Sequence, residues 1–203
     1  MSKEITFNKS RTIRPSILYF GSAVVLLSTL NEDGTTNLTP MSSAWALGNR
    51  IVLGLGAGSH GLSNLVNRKE CVVNIPGPSL WDKVERLAPL TGANPVSEAK
   101  RVIYRHVKNK FRRLILRSLP ESAPGARGGC PLQIEIVMRN MHRVEEGVLF
   151  AIIEVEAVQV HAHESILLSD RHVDPAKWSP LIYNFRHYFG LGEQLGKTFK
   201  SKT

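Results

Sequence analysis

The sequence predicts a mainly β chain with helical excursions, an antiparallel barrel closed on itself, and three observations lead there. Six or so apolar runs of strand length recur along the chain, most of them close enough to be joined as hairpins. Where the hydrophobic period lengthens toward that of a helix, it does so only over short stretches between those runs. The third is the alternation of Leu132, Ile134, Ile136 and Met138 with Gln133 and Glu135, which puts one face of a strand on a core.

In order, residues 1–16 read as an irregular lead-in, with Arg11, Arg14 and Pro15 before the first strand. Ser22 to Leu30 is nearly continuous in apolar residues and β-branched in its middle, as a strand buried on both faces requires. Asn31-Glu32-Asp33-Gly34 is a hairpin turn, and a return strand follows. Ile51 to Leu55 is the next strand; its Gly54 marks a bulge or the close approach of something to the backbone. A short helix from about Gly61 to Arg68, capped by Ser59, leads into the strand Cys71 to Ile75. Ser79-Leu80-Trp81-Asp82 has the form of a capping box, with Leu80, Val84, Leu87 and Ala88 at helical spacing behind it. A further helical piece is expected after Pro95 with Ser97 as its cap, and a loop from Pro120 to Gly129. Pro131 to Arg139 and Val148 to His163 are strands, the second with a phase break at Ala157-Val158 that signals a bulge.

A chain of 203 residues, 42% hydrophobic, suits a single domain over 1–203. No apolar run approaches the ~20 residues of a membrane span. The start, Met1-Ser2-Lys3-Glu4-Ile5, lacks the pattern of a signal peptide. Cys71 and Cys130 stand in apolar strand-like contexts, which argues against a disulfide framework and for a reducing cytoplasm. The formal charge of +9 is concentrated between Lys100 and Arg117, where Lys100, Arg101, Arg105, Lys108, Lys110, Arg112, Arg113 and Arg117 occur without an acid. Such a run could grip nucleic acid phosphates, but no zinc-finger, basic-zipper or aromatic-interleaved motif accompanies it. A solvated face, or a rim attracting an anionic cofactor, is the preferred assignment.

Two stretches carry candidate chemistry. Asn37, Thr39, Ser42 and Ser43 offer small hydrogen-bonding groups around Pro40, as a flat heteroaromatic ligand with polar edges requires; a turn-rich sheet edge would use the same residues. Gly56-Ala57-Gly58-Ser59-His60-Gly61 satisfies G-x-G-x-x-G between a strand and a helix. A dinucleotide-binding βαβ unit is disfavoured, because the next strand ends in Asn74-Ile75-Pro76 without an acid for a ribose and a hairpin precedes the motif. A phosphate on the helix start and a plain Ser59 cap both remain open. His161 and His163, with His142 or His172, lack a familiar ligand spacing and are assigned structural roles, with no metal site.

The ordered series Val25 to Thr29, Asp33 to Ser43, Gly54 to Asn64, Cys71 to Ile75, Cys130 to Glu135, Val155 with His161 to Leu167, Pro180 to Tyr183 and Tyr188 to Gly192 resembles the flavin reductase-like family of FMN-binding split barrels. The likeness covers most of residues 15–192. It implies a homodimer with FMN near the subunit boundary. It places Asn37, Thr39, Pro40, Met41, Ser42 and Ser43 along the isoalloxazine, and Ala57, Gly58, Ser59, His60, Ser63 and Asn64 around the phosphate. Two positions depart from the family pattern. His60, Gly61 and Leu62 stand where many relatives carry a basic residue and threonines, leaving Ser59, Ser63, His60 and backbone N–H groups for the phosphate. Val144 to Val148 stands where reductase members show Gly-Asp-His. The expected function is an NAD(P)H-dependent flavin oxidoreductase, with small-molecule electron donor and acceptor, an oxygenase partner among the options, and no catalytic acid, base or nucleophile. The alternatives are a non-catalytic FMN electron-transfer module and a nucleic-acid-binding protein using the basic run.

Overall fold

The computed structural model describes residues 10–108, 110, 130–143 and 147–198. The chain forms β1 (Phe20–Ala23), β2 (Val25–Leu30), β3 (Thr36–Met41), β4 (Ala44–Leu47), β5 (Arg50–Gly56), α1 (His60–Arg68), β6 (Glu70–Ile75) and α2 (Trp81–Leu87). There follow β7 (Leu90–Thr91), β8 (Arg105–His106), β9 (Leu132–Arg143), β10 (Phe150–Ala162), β11 (Leu167–Ser169), β12 (His172–Val173), β13 (Ile182–Asn184) and β14 (His187–Phe189). Seven strands make one antiparallel sheet in the order β3-β2-β6-β9-β10-β5-β4. A small sheet β1-β13-β14 lies apart from it.

The large sheet curls but does not close, which corrects the closed barrel expected from strand spacing and agrees with the split barrel that the resemblance implied. Its two edges, β3 and β4, are neighbours in sequence and are not paired with each other. Pro40 has no N–H to give a further strand, which confines β3 to an edge. Ser43 turns its carbonyl to the Gly54 N–H at 2.7 Å, so the chain leaves β3 and joins β5 instead.

The apolar run at the first strand is buried on both faces, as expected, and the two-residue period separates them. Val25 and Leu27 join Leu53, Ile136, Ile153 and Val155 in the barrel core, where Leu62 and Leu65 of α1 also pack. Val24 and Leu26 join Leu38, Val84, Leu87 and Leu181 on the other side, under α2. The run is two strands rather than one. Gly21, at φ +93, and a register shift between Phe20 and Ser22 let β1 pair with β13, while the Val24 N–H donates to Leu181 O at 2.7 Å.

The bulge in β10 falls where the phase break placed it, with Val158 skipped between the Ala157–Ile136 and Gln159–Glu135 pairs. Ser79 does not cap α2: Pro78 opens a 3-10 turn at Pro78–Leu80, so Ser79 falls inside that turn. Among the described residues, the piece directly after Pro95 is a 3-10 turn, Glu98–Lys100, and Ser97 makes no side-chain cap bond there; the rest of the basic run beyond Lys110 lies outside them. Strand β4 has no counterpart in the sequence reading, since only four residues, Trp45 and Leu47 exposed among them, carry it. The loop assigned to 120–129 and residues 144–146 of the predicted turn lie outside the described residues. Among the described residues no helix is long and apolar enough to cross a membrane.

Candidate functional site

A cleft of about 1000 Å³ opens at the split between β3 and β4. One wall is Thr39, Pro40, Met41, Ser42 and Ser43; the end of β5 and the start of α1 bring Gly54 to His60. Val84 and Glu85 of α2, Ala88 just beyond it, the rings of Tyr19, Tyr183 and Tyr188, and Lys100, Tyr104, Lys110 and Arg186 also line it. The structure thus gathers nine of the twelve sequence-predicted site residues around one space. A smaller hollow of about 520 Å³ beside His161 and His163 contains none of them.

Two glycines let the walls approach. A Cβ at Gly54 would lie 2.9 Å from the Ser43 Cβ, which is the close approach its place in the strand suggested. At Gly61 a Cβ would strike the Thr39 Oγ1, so the helix start can rest directly on β3. Ser59 is the N-cap of α1, and its Oγ accepts the Leu62 N–H at 3.2 Å. The N–H groups of His60 and Gly61, in the first turn, have no acceptor within the helix and carry the positive end of its dipole.

Asn37, Ser63 and Asn64 do not line the cleft. Ser63 is exposed on the far side of α1. Asn37 and Asn64 are 1% and 6% exposed and belong to a polar brace behind the wall. Asn64 Nδ2 donates to Thr29 Oγ1 at 3.1 Å and Asn31 Oδ1 at 2.9 Å, and Asn37 Nδ2 donates to Thr29 Oγ1 at 3.3 Å and Thr39 Oγ1 at 3.1 Å. His60 Nε2 donates to Asn31 Oδ1 at 2.8 Å, which fixes the ring at the mouth of the helix. Burial, then the nearby Lys110 and His106 charges, holds the His60 pKa below its usual value.

Sequence reasoning placed the basic run on a solvated face or a rim, and one of its lysines does something else. Lys110 is 4% exposed, yet it lines the cleft; its Nζ donates to Leu38 O on the free edge of β3 at 3.0 Å. Burial pulls its pKa down to about 8. Lys100 also reaches the cleft and donates to Gly58 O beside the helix start. Lys108 pairs with Asp33 at 3.3 Å, Arg105 is exposed on β8, and Arg112, Arg113 and Arg117 lie outside the described residues. The acid in the lining, Glu85, accepts the Tyr188 hydroxyl at 2.9 Å. Burial and then that bond push the Tyr188 pKa up. The C-terminal aromatic segment from Tyr188 was expected near the pocket or an interface, and Tyr188 does line the cleft, but Tyr19, Tyr183 and the inward turn of the two lysines were not identified from sequence. The run of cations was visible, but which of them turns inward depends on the edge carbonyls it meets.

His161 Nε2 meets Glu135 Oε1 at 2.8 Å, and His163 Nδ1 meets Ser165 Oγ at 2.7 Å beside a turn. Cys71 and Cys130 are both buried free thiols, raised by burial, the second to about 12.

A curled antiparallel sheet split at one seam, with a cation-bearing helix-start cleft along that seam, is the architecture of a split barrel. A flavin reductase like domain matches residues 17–192. The chain is 47% identical over 196 residues to the uncharacterized protein YdfE of Bacillus subtilis (strain 168), with 95% of each covered. The chain belongs to the flavin reductase-like family. Its fold matches the flavoredoxin of Desulfovibrio vulgaris (Miyazaki F), with a TM-score of 0.73, 21% identity, and 97% of this chain and 100% of that one covered. It also matches nitrilotriacetate monooxygenase component B from Bacillus cereus, with a TM-score of 0.68, 15% identity, and 97% and 100% covered. Family membership supports a flavin-related oxidoreductase function.

Proposed function

We propose that the cleft binds FMN and that the protein is an NAD(P)H-dependent flavin reductase acting on the bound flavin. The observation that supports this best is the set of donors at the helix start. The first-turn N–H groups of α1, the Ser59 hydroxyl and the amines of Lys100 and Lys110 suit a phosphate dianion, and no acid stands among them. The basic residue missing after Ser59 is thereby supplied from another part of the chain. A terminal monophosphate fits this site better than the bridging pyrophosphate of FAD, because only the former presents a dianion to the helix end.

The Thr39 to Ser43 segment supplies the polar edge for the isoalloxazine, with Thr39 held by Asn37 and Ser43 by the Tyr19 hydroxyl at 3.1 Å. Asn37 and Asn64 act by bracing these groups, not by touching the ligand. FMN, when bound, supplies a ring that accepts and returns a hydride; the protein supplies position, shelter and charge.

The exposed face of β4, β5 and β10 extends the reading to a homodimer. Trp45, 59% exposed, stands on that face in register with Val52 and Glu154, while Ile152 pairs with Gly54, itself part of the cleft. A face that sets Trp45, Val52 and Ile152 beside the Arg50–Glu154 ion pair, and runs on into the site, suits a second copy of the chain that borders the flavin. The Bacillus cereus neighbour is by its name a component of a monooxygenase, and delivery of reduced flavin to an oxygenase is the matching role here.

Anaerobic mixing of the FMN-loaded protein with NADH or NADPH tests the reading. Bleaching of the visible flavin band at a rate that saturates with donor is the expected result. A flavin that bleaches with dithionite but with neither nucleotide would make the protein an electron-transfer module instead.

A further inference from the structure

The cleft has a second cationic end, and nothing about the phosphate site accounts for it. Arg186 lines the cleft from the tip of the β13–β14 hairpin, exposed, and among the described residues it makes no hydrogen bond or ion pair. The tip is a two-residue turn between Asn184 and His187, formed by Phe185 at φ +43 and Arg186 at φ +68. Turns of this shape favour Asn-Gly, because side chains crowd the left-handed backbone. Here an arginine occupies the position where glycine would relieve the strain, and strain of this kind concentrates at ligand clamps.

The hairpin tip is tied to the ring end of the cleft rather than to the helix start. The Phe185 N–H donates to Tyr19 O at 2.7 Å, and the Tyr19 hydroxyl meets Ser43 Oγ. Beside it the rings of Tyr19, Tyr183 and Tyr188 follow one another at 5.5 Å centroid spacings. Lys100 and Lys110 anchor instead to Gly58 and Leu38. At about 1000 Å³ the cleft is at the upper end of the roughly 300–1,000 Å³ range of small-molecule sites, with room beside a flavin for part of another ligand.

We infer that Arg186 recognises the anionic group of a second ligand, a planar ring bearing a phosphate or carboxylate, which enters against the tyrosine wall. The guanidinium presents a flat pair of donors to such a group, which a lysine does not. The inference rests on the FMN reading and names the substrate class that the same cleft selects. Two sources share the chemistry, a pyridine nucleotide and an aromatic carboxylic acid.

The test uses FMN-loaded protein and three variants, Arg186→Ala, Arg186→Lys and Arg186→Gly. NADP⁺ and 4-hydroxybenzoate are titrated by calorimetry, and kcat/KM is measured for NADPH and for the uncharged donor 1-benzyl-1,4-dihydronicotinamide. Arg186→Ala is expected to weaken one of the two anions about tenfold or more, as loss of a charge-assisted pair does. Which anion is affected identifies the source. Arg186→Lys recovers only part of the loss, and where NADP⁺ is the anion affected, kcat/KM falls more for NADPH than for the uncharged donor. Arg186→Gly shows the same loss of affinity with a melting midpoint raised by a few degrees, since glycine accepts the left-handed backbone. Unchanged affinity for both anions, in protein that still holds FMN and oxidises the uncharged donor, overturns the assignment and leaves the flavin reading standing. A glycine variant that melts lower overturns it too, because the arginine then braces the hairpin. Failure of the wild type to hold FMN overturns both.

Discussion

Replacing Lys110 with Met separates a ligand-holding lysine from a structural one, because stability and affinity should move in opposite directions. Lys110 is 4% exposed, its amine has a single carbonyl partner among the described residues, and its pKa falls from 10.5 to about 8. At 1.36 kcal/mol per tenfold, burial of that charge disfavours the free protein by about 3 kcal/mol. Methionine of similar length removes the penalty and leaves the edge carbonyl of Leu38 without its donor, which costs about 1 kcal/mol. The net gain of about 2 kcal/mol should raise the melting midpoint by roughly 4–8 °C at pH 7. The pH dependence has a definite sign. Between pH 8 and 10.5 the folded protein binds fewer protons than the unfolded chain, so wild-type stability rises across that window and approaches that of the variant. FMN affinity should fall roughly 10–100-fold, the loss of one charge-assisted bond of about 1.5–3 kcal/mol. In the wild type, affinity should also decline as pH rises past about 8, and the variant should lose that decline. Fluorescence titration of FMN from pH 6.5 to 9.5, beside thermal melts, measures both. Equal FMN affinity in the two proteins at every pH would refute the assignment and reduce Lys110 to a cap on the β3 edge.

Ser59→Asp sets a like charge against the phosphate at the α1 start, and FMN binding by titration should weaken by more than tenfold while riboflavin binding is unchanged. Gly61→Ala drives a methyl group into Thr39 Oγ1, which should cost about 1–3 kcal/mol in a denaturant melt and loosen FMN with it. Trp45→Glu puts a charge on the exposed face of β4; light scattering should report a dimer for the wild type and a monomer for the variant.

Much of the fold was legible because it rests on local pattern. The two-faced burial of the first apolar run, the alternation in β9 and the bulge at Val158 follow from side-chain period alone. The Ser59 cap and the close approach at Gly54 were readable as residue types with few other uses at those positions. Openness of the barrel was not, since which strands become edges is decided by pairings between distant segments. Pro40 marked an edge, but only the Ser43 to Gly54 bond shows where the chain crosses the gap.

The candidate site divides in the same way. Residues contiguous in sequence, Thr39 to Ser43 and Ala57 to His60, do meet around one cleft. Asn37 and Asn64 resemble ligand contacts by type, yet they turn inward to Thr29 and Asn31, because a buried amide must satisfy its donors wherever partners exist. Lys110 and Arg186 come from distant segments, and only the folded chain brings both to one cleft. A run of cations fixes how many charges are available, not which of them a free carbonyl edge will draw inward.

The presence of an FMN site is tested most directly by equilibrium dialysis of the purified protein against FMN, FAD and riboflavin in turn. One FMN per chain is expected to be retained, with FAD held more weakly and riboflavin weaker by a hundredfold or more, because the proposed site sets the helix start and both lysines against the phosphate. Retention of riboflavin as tightly as FMN, or of no flavin at all, would contradict that site.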